Sequence, residues 1–338
     1  MPFSGRRLAA AERLFQLHFF LILSNKNNKL HLFNSGGEIV KKKGKRRHRK
    51  SRLLIFAEII AVCTVFFYCS YDNSTSGPKA DSDQLRVASF NIQVFGTTKI
   101  GKADVMEKIV SIIGNFDVVA IQEVRSTDAT IIPRLVDMLG TDWDYRISER
   151  LGRTSSKEQY ALVFRKSMVT VDSVYQVPDP QDLLHREPFV CYCRSGKFDF
   201  SIINIHTDPD EVAQEVNALD DILLSEIKKE KDALLMGDLN ASPSEFDELG
   251  KIAGVFYVVK DGTKTNVKGT ATYDNILFIG NNVQEYLKGD VFNFRTIYNL
   301  SEDFALDISD HLPVYAVFMT DMADDDKKSV AFAANRRR

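Results

Sequence analysis

Ser309-Asp310-His311 lies near the end of the chain, between Ile308 and Leu312. It sets a carboxylate beside an imidazole at the mouth of an apolar run, Val314-Tyr315-Ala316-Val317-Phe318, that reads as a buried strand. Such a pair can hold a metal ion and move a proton if partners converge on it. Five other segments offer partners, each where an apolar run stops: Asn91, Glu123, His206, Asp238 with Asn240, and Asp274. Sheets fix catalytic groups at strand ends while the adjoining loops admit substrate. Any one of these residues alone reads equally well as a turn residue or a solvated carboxylate. Six segments in the same relation to their strands are not explained that way.

The elements that must carry them follow from periodicity. Strands are expected at Leu85–Phe95, Asp117–Val124, Trp143–Ile147, Ala161–Arg165, Val169–Val177, Phe189–Cys193, Phe198–Ile205, Ala233–Met236, Thr272–Ile279 and Leu312–Phe318. Helices are expected at Ala103–Asn115, where Val105, Ile109, Ile112 and Ile113 share a face, at Thr127–Leu139 and at Asp210–Lys229. Strands and helices in this alternation, with some hairpins, predict an α/β protein with more than one sheet.

The net charge of −2 hides an asymmetry: residues 1–52 carry 14 Lys/Arg against Glu12 and Glu38, which leaves −14 on the rest. An acidic body argues against gripping nucleic acid through a broad basic face, and suits a site where a divalent cation meets a phosphate. Of the four cysteines, Cys63 and Cys69 lie in an apolar run. Cys191 and Cys193 are i, i+2 on one strand, poor disulfide geometry, and read as two small core or surface thiols.

Residues 1–52 read as a basic, disordered arm ending in the block Lys41–Arg52. Leu53–Cys69 follows at once: 17 residues with one charge, Glu58, and a helical length of about 25 Å. A dense positive block before such a run predicts a single transmembrane signal-anchor, amino end in the cytoplasm and the domain outside; the alternative is secretion after signal cleavage. Residues 70–84 read as a linker, 85–320 as the catalytic domain and 321–338 as a disordered charged tail.

The segments Phe90-Asn91-Ile92, Ile121-Gln122-Glu123-Val124, His206, Gly237-Asp238-Leu239-Asn240-Ala241, Tyr273-Asp274 and Ser309–Val314, in that order, resemble the endonuclease/exonuclease/phosphatase superfamily. The stretches 148–160, 185–188 and 123–125 resemble its deoxyribonuclease I branch in particular. The resemblance spans the whole expected domain and none of residues 1–84. It implies a four-layer sandwich of two packed mixed β-sheets flanked by helices, with the site at one edge. It further implies Glu123 as principal Mg²⁺ (or Mn²⁺) ligand with Asn91 and Asp310. His206 and His311 become a proton-transfer pair oriented by Glu158 and Asp274, with Asp238 and Asn240 at the phosphate. Arg125 and Arg186 match positions that face the DNA backbone and minor groove, and Ser156 stands where the family has a tyrosine. Asp261, Thr263 and Thr265 resemble a structural Ca²⁺ loop, while the family's disulfides have no counterpart here.

Physics supports these roles independently. Phosphodiester hydrolysis needs a deprotonated nucleophile, stabilised charge on the phosphorus and a protonated leaving oxygen. Two histidines near neutral pKa supply the first and last, and a carboxylate behind each ring fixes its tautomer. With the resemblance, the expectation is a DNA endonuclease with little sequence preference and no protein partner implied, and the family likeness implies 5′-phosphate and 3′-hydroxyl ends. Two alternatives stand beside it: the same scaffold acting on a phospholipid or inositol phosphate, and a membrane-tethered binding module with little catalysis.

Overall fold

A computed structural model describes residues 83–323, within which two six-stranded sheets face one another. The first is built from β1 (Gln84–Phe95), β2 (Val118–Val124), β3 (Trp143–Ile147), β4 (Gln159–Arg165), β11 (Tyr286–Val291) and β12 (Val314–Met319), in the order β11-β12-β1-β2-β4-β3. The second holds β5 (Thr170–Gln176), β6 (Phe189–Ser195), β7 (Phe198–His206), β8 (Ala233–Asp238), β9 (Val255–Tyr257) and β10 (Asp274–Ile279), in the order β5-β6-β7-β8-β10-β9. Each sheet is mixed: β1 runs parallel to β2, and β7 to β8, while the other pairings are antiparallel.

Alternation along the central strands builds four layers. Leu85, Val87, Val118, Ala120, Phe200, Ile202, Leu234, Met236, Ile276 and Phe278 share one core, the interior between the sheets. The intervening residues, such as Phe90, Val119, Ile121 and Val163, pack against the helices Ala103–Ile113 and Ile131–Leu139 outside the first sheet. Ile203, Ile205, Leu235 and Leu277 do the same against the helix Val212–Ile227 outside the second. Burying both faces of a sheet removes a large apolar area from water, and that is why these strands read as continuous apolar runs.

β9 and β11 escaped the sequence reading, along with the short helices Thr97–Ile100, Asp247–Lys251, Phe294–Ile297 and Glu302–Ile308. β11 (YLKGDV) is an edge strand with no fully buried residue, and its Lys288 and Asp290 keep that edge from pairing with another chain. β9 is a three-residue edge strand, too short to show a period. Cys191 and Cys193 are free thiols buried between the sheets.

The arm 1–52, the apolar run 53–69, residues 70–82 and the tail beyond 323 lie outside the described residues. Among the described residues no helix is long and apolar enough to cross a membrane.

Candidate active site

The alternation that fills the sandwich also aims the polar strand ends. In β1, Leu85 and Val87 face the other sheet, and counting on by twos brings Ser89 and then Asn91 to that same face. In β7 the series Phe198, Phe200, Ile202 ends in Asn204 and His206; in β8, Leu234 and Met236 lead to Asp238; in β10, Asp274 precedes Ile276 and Phe278. Strand register then lines them up, since His206 is opposite Asp238 across β7/β8 and Asp274 opposite Asp238 across β8/β10. The polar row is the last layer of the interior, at the strand ends.

Below it, Gln122 donates to Ser89 Oγ (3.0 Å) and Asn204 Oδ1 (2.6 Å), tying the two sheets together under the site. Gly237 is required between Met236 and Asp238. Its φ is +155°, and a Cβ there would stand 1.8 Å from the Ile205 carbonyl oxygen.

Glu123 would follow Val119 and Ile121 to the helix-covered face. A left-handed backbone, φ +62°, breaks the alternation, and its carboxylate accepts from Asn91 Nδ2 (3.2 Å) and from the Val94 amide (2.8 Å). Opposite it β1 bulges: three residues, Ile92–Val94, span the space of one, with Gln93 and Val94 also at positive φ. A β-branched residue in that region is strained, and such strain gathers at functional sites.

Asp238 is the centre. Its Oδ2 accepts from Asn91 Nδ2 (2.9 Å) and lies 3.5 Å from His206 Nε2 and 3.4 Å from His311 Nε2, while Oδ1 accepts from the Asn240 amide (3.0 Å). Burial opposes its charge, but the two imidazoles and these hydrogen bonds hold its carboxyl below the usual range. Each ring is gripped from behind: His206 Nδ1 by Glu158 Oε1 (2.8 Å) and His311 Nδ1 by Asp274 Oδ2 (2.9 Å). Glu158 is fully buried yet stays below the usual range, because His206, Arg186 and Arg125 outweigh the desolvation. Burial pushes Asp274 the other way, to about 6. Both histidines are raised despite burial, His206 by Glu158 and Asp238, and His311 further by Asp274, Asp238 and Asp310. Asp274 and His311 thus form a tightly coupled buried pair in which the carboxylate favours the charged ring.

Asp310 lies beside His311, its Oδ1 3.8 Å from Nε2. Asn240 donates its side-chain amide to the Thr207 carbonyl (2.9 Å), which leaves its second N–H free for a phosphate oxygen. Arg125 is part-exposed and pairs with Glu123 (3.3 Å) and Glu158 (3.4 Å).

Two expectations need correction. Arg186 does not face a duplex: it is 3% exposed and donates to the carbonyls of His206 and Thr207 (3.0 Å each), with Glu158 3.5 Å away. It braces the floor of the site, its guanidinium donating to two carbonyls beside a buried carboxylate. Asp261, Thr263 and Thr265 do not form one ligand set. Thr265 is buried and its hydroxyl accepts from the amides of Tyr273 and Asp274, while Asp261 caps the Ser244 amide and Thr263 gives its carbonyl to Thr272. Ser156 is exposed, on a loop whose Arg153 pairs with Asp182 and Glu211.

A hard divalent cation fits what is present. The donors are oxygens of Glu123, Asp238, Asp274, Asp310 and Asn91, and the buried Oδ1 atoms of Asp274 and Asp310 have no hydrogen-bond partner. Among the described residues the one group of metal-capable side chains that closes within 4.8 Å is Asp238, Asp274 and His311, a set beside the expected Glu123, Asn91 and Asp310.

Sequence reasoning missed four supports. Ser309 donates to the Asn91 carbonyl (2.7 Å) and accepts from the His311 amide (3.0 Å). Tyr160 accepts from the His206 amide (3.0 Å), and Thr265 holds Asp274 as described. Lys99 is half-buried, and desolvation lowers its pKa to about 8 against the pull of Asp310 and Glu123. Ser309 and Tyr160 sat in stretches that carried the resemblance and Thr265 in the expected Ca²⁺ loop, but nothing in the sequence pointed to Lys99.

Two imidazoles over one carboxylate, each backed by another, with oxygen donors for a cation, define a phosphoester hydrolase site. Residues 88–248 match the Endonuclease/Exonuclease/phosphatase family. Deoxyribonuclease gamma of Mus musculus is 32% identical over 286 residues, covering 76% of this chain and 92% of that protein. Deoxyribonuclease-1 of Bos taurus is 34% identical over 255 residues, 68% of this chain and 90% of that one. The crystal structure of a humanized D. rerio TDP2 matches the fold at a TM-score of 0.51 and 15% identity, covering 70% of this chain and 98% of that one. The chain belongs to the endonuclease/exonuclease/phosphatase family, as a deoxyribonuclease I-like member.

Proposed function

We propose that the protein is an endonuclease that hydrolyses phosphodiester bonds in DNA, with a divalent cation and His206 and His311 as the proton-transfer pair. The observation that carries this reading is the convergence of both Nε2 atoms on Asp238 Oδ2, at 3.5 and 3.4 Å, with a carboxylate behind each ring. Within this reading His206, its Nδ1–H held by Glu158, takes a proton from the attacking water through Nε2. His311, pushed further up by Asp274, carries the proton that goes to the leaving 3′-oxygen. Asn240 donates its free amide hydrogen to a non-bridging oxygen. Glu123 and Asp310, with Asn91 holding Glu123 in place, would bind Mg²⁺ or Mn²⁺, which neutralises charge developing on the phosphate. DNA as substrate comes from the deoxyribonucleases it resembles, and the expected reading of shape over sequence rests on Arg125 alone now that Arg186 is seen to be buried. The apolar run 53–69 behind its basic block supports a tether with the catalytic domain on the outer side.

Plasmid nicking with Mg²⁺ tests the reading. His206→Ala and His311→Ala should each lower nicking at least ~10³-fold while the circular dichroism melt stays cooperative. Wild-type-like nicking in either variant refutes the assignment. Sphingomyelin or inositol phosphate turned over in preference to plasmid would transfer the same site to another phosphoester.

A further inference from the structure

Lys99 stands one turn after the β1 bulge, in the short helix Thr97–Ile100, and its Nζ donates to three backbone carbonyls. Two belong to the bulge, Ile92 (2.8 Å) and Gln93 (2.6 Å), and the third is that of Ile308 (2.8 Å), immediately before Ser309-Asp310-His311. An ammonium has three hydrogens, and these bonds account for all of them.

The two ends of this tie are the two halves of the cation site. The bulge presents the Val94 amide to Glu123 Oε2 (2.8 Å) and the Gln93 amide to Asn91 Oδ1 (2.8 Å), so its shape decides where Glu123 and Asn91 stand. Its backbone is held at φ +45° and +50°, a conformation that relaxes unless something over-determines it. On the other side, Ile308 ends the helix Glu302–Ile308, and Asp310 follows two residues on. Bulge and helix end are more than two hundred positions apart in sequence. Ser309, whose hydroxyl reaches the Asn91 carbonyl, makes a second bridge between the two segments.

We propose that Lys99 is a positioning residue for the cation site: by gripping the Ile92, Gln93 and Ile308 carbonyls at once, it fixes Glu123 relative to Asp310. The proposal rests on the divalent-cation reading above. Because its donors go to carbonyls, Lys99 adds positive charge near the carboxylates without consuming the oxygens a cation needs. The position therefore contains two opposed effects. Removing Lys99 releases the geometry, which weakens cation binding, and removes a repelling charge, which strengthens it. Supports behind metal ligands are typically worth roughly 10–100-fold in affinity, so geometry should win.

The test is Mn²⁺ titration followed by electron paramagnetic resonance, on full-length protein in detergent and without DNA, alongside plasmid nicking and thermal melting. Lys99→Met should raise the Mn²⁺ dissociation constant roughly 10-fold or more and cut nicking at least as far. Lys99→Arg keeps the charge but cannot converge three donors, and it should bind Mn²⁺ more weakly than wild type while melting cooperatively. It serves as the readout if the methionine variant does not fold. Unchanged or tighter Mn²⁺ binding in a cooperatively melting variant overturns the proposal, whatever happens to nicking. So does a wild-type chain that binds no Mn²⁺. If wild-type protein binds Mn²⁺ but does not nick DNA, the substrate reading fails while the Lys99 comparison still stands.

Discussion

Replacing Glu158 with Gln tests the site at its most loaded hydrogen bond. Glu158 is fully buried, grips His206 Nδ1 at 2.8 Å, and faces Arg125 at 3.4 Å and Arg186 at 3.5 Å. Gln keeps the shape and one acceptor but removes the charge. A buried charge-assisted hydrogen bond contributes roughly 1.5–3 kcal/mol. Arg125 and Arg186 would retain other acidic neighbours, Glu123 at 3.3 Å and Asp208 at 3.8 Å, and so are not wholly uncompensated. A loss of ~2–3 kcal/mol is therefore expected, which in a domain of this size lowers the melting temperature by roughly 4–12 °C. The loss depends on pH in a definite sense. The Glu158 carboxyl is held down, so its contribution is present above its unfolded pKa, ~4.3, and vanishes as pH falls through the folded value. The His206 pKa is raised, so its contribution is complete below ~6.5 and disappears as pH rises through the folded value. The stability gap between wild type and Glu158→Gln should be widest between those two limits. Activity follows the same logic. His206 must be neutral to accept a proton, so the acidic limb of the pH–rate profile should lie above ~6.5 in wild type and move to lower pH in the variant. The rate at the optimum should fall roughly 10–100-fold as the ring loses orientation. Plasmid nicking from pH 5 to 9, with calorimetry over the same range, measures both. An acidic limb that does not move would refute the pairing of Glu158 with His206 as a determinant of catalysis.

Gly237→Ala should destabilise the domain by more than about 3 kcal/mol, because a Cβ there meets the Ile205 carbonyl at 1.8 Å and the residue holds φ +155°. Thermal melting and soluble yield measure the effect, and a near-normal melt would mean β7 and β8 do not approach as closely as described. Asp274→Asn should move the proton-donating limb of the pH–rate profile to lower pH, since Asp274 is the largest influence raising His311; an unchanged limb would assign the donor elsewhere. Protease added outside intact cells should remove the catalytic domain if residues 53–69 anchor it with the amino end inside, whereas protection would indicate the reverse orientation.

Much of the architecture was legible because both faces of the central strands are buried. Runs such as Val118–Ile121 and Ile202–Ile205 had to be long and apolar, and the polar residue ending each run stood out against them. Edge strands escaped for the complementary reason: Lys288 and Asp290 keep β11 soluble at its edge, and in doing so erase its pattern. Arg186 shows the limit for single residues. A guanidinium reads from sequence as a surface charge, and only the nearness of two carbonyls and Glu158 turns it into a buried brace.

Sequence by itself determined the chemistry on offer: which side chains end the strands, in what order, and that two histidines and several acids were among them. Because both faces of their strands are apolar, which face His206, Asp238 and Asp274 occupy was left to the packing of the sheets. Tertiary structure alone decided what that chemistry is for. Asp238 lies between the two rings, Glu123 turns back through a left-handed residue, and Lys99 clasps carbonyls from opposite ends of the chain. These are contacts between segments far apart in sequence, specified by the packing of two sheets on a shared core, and no local pattern of residue types encodes a distance across that gap.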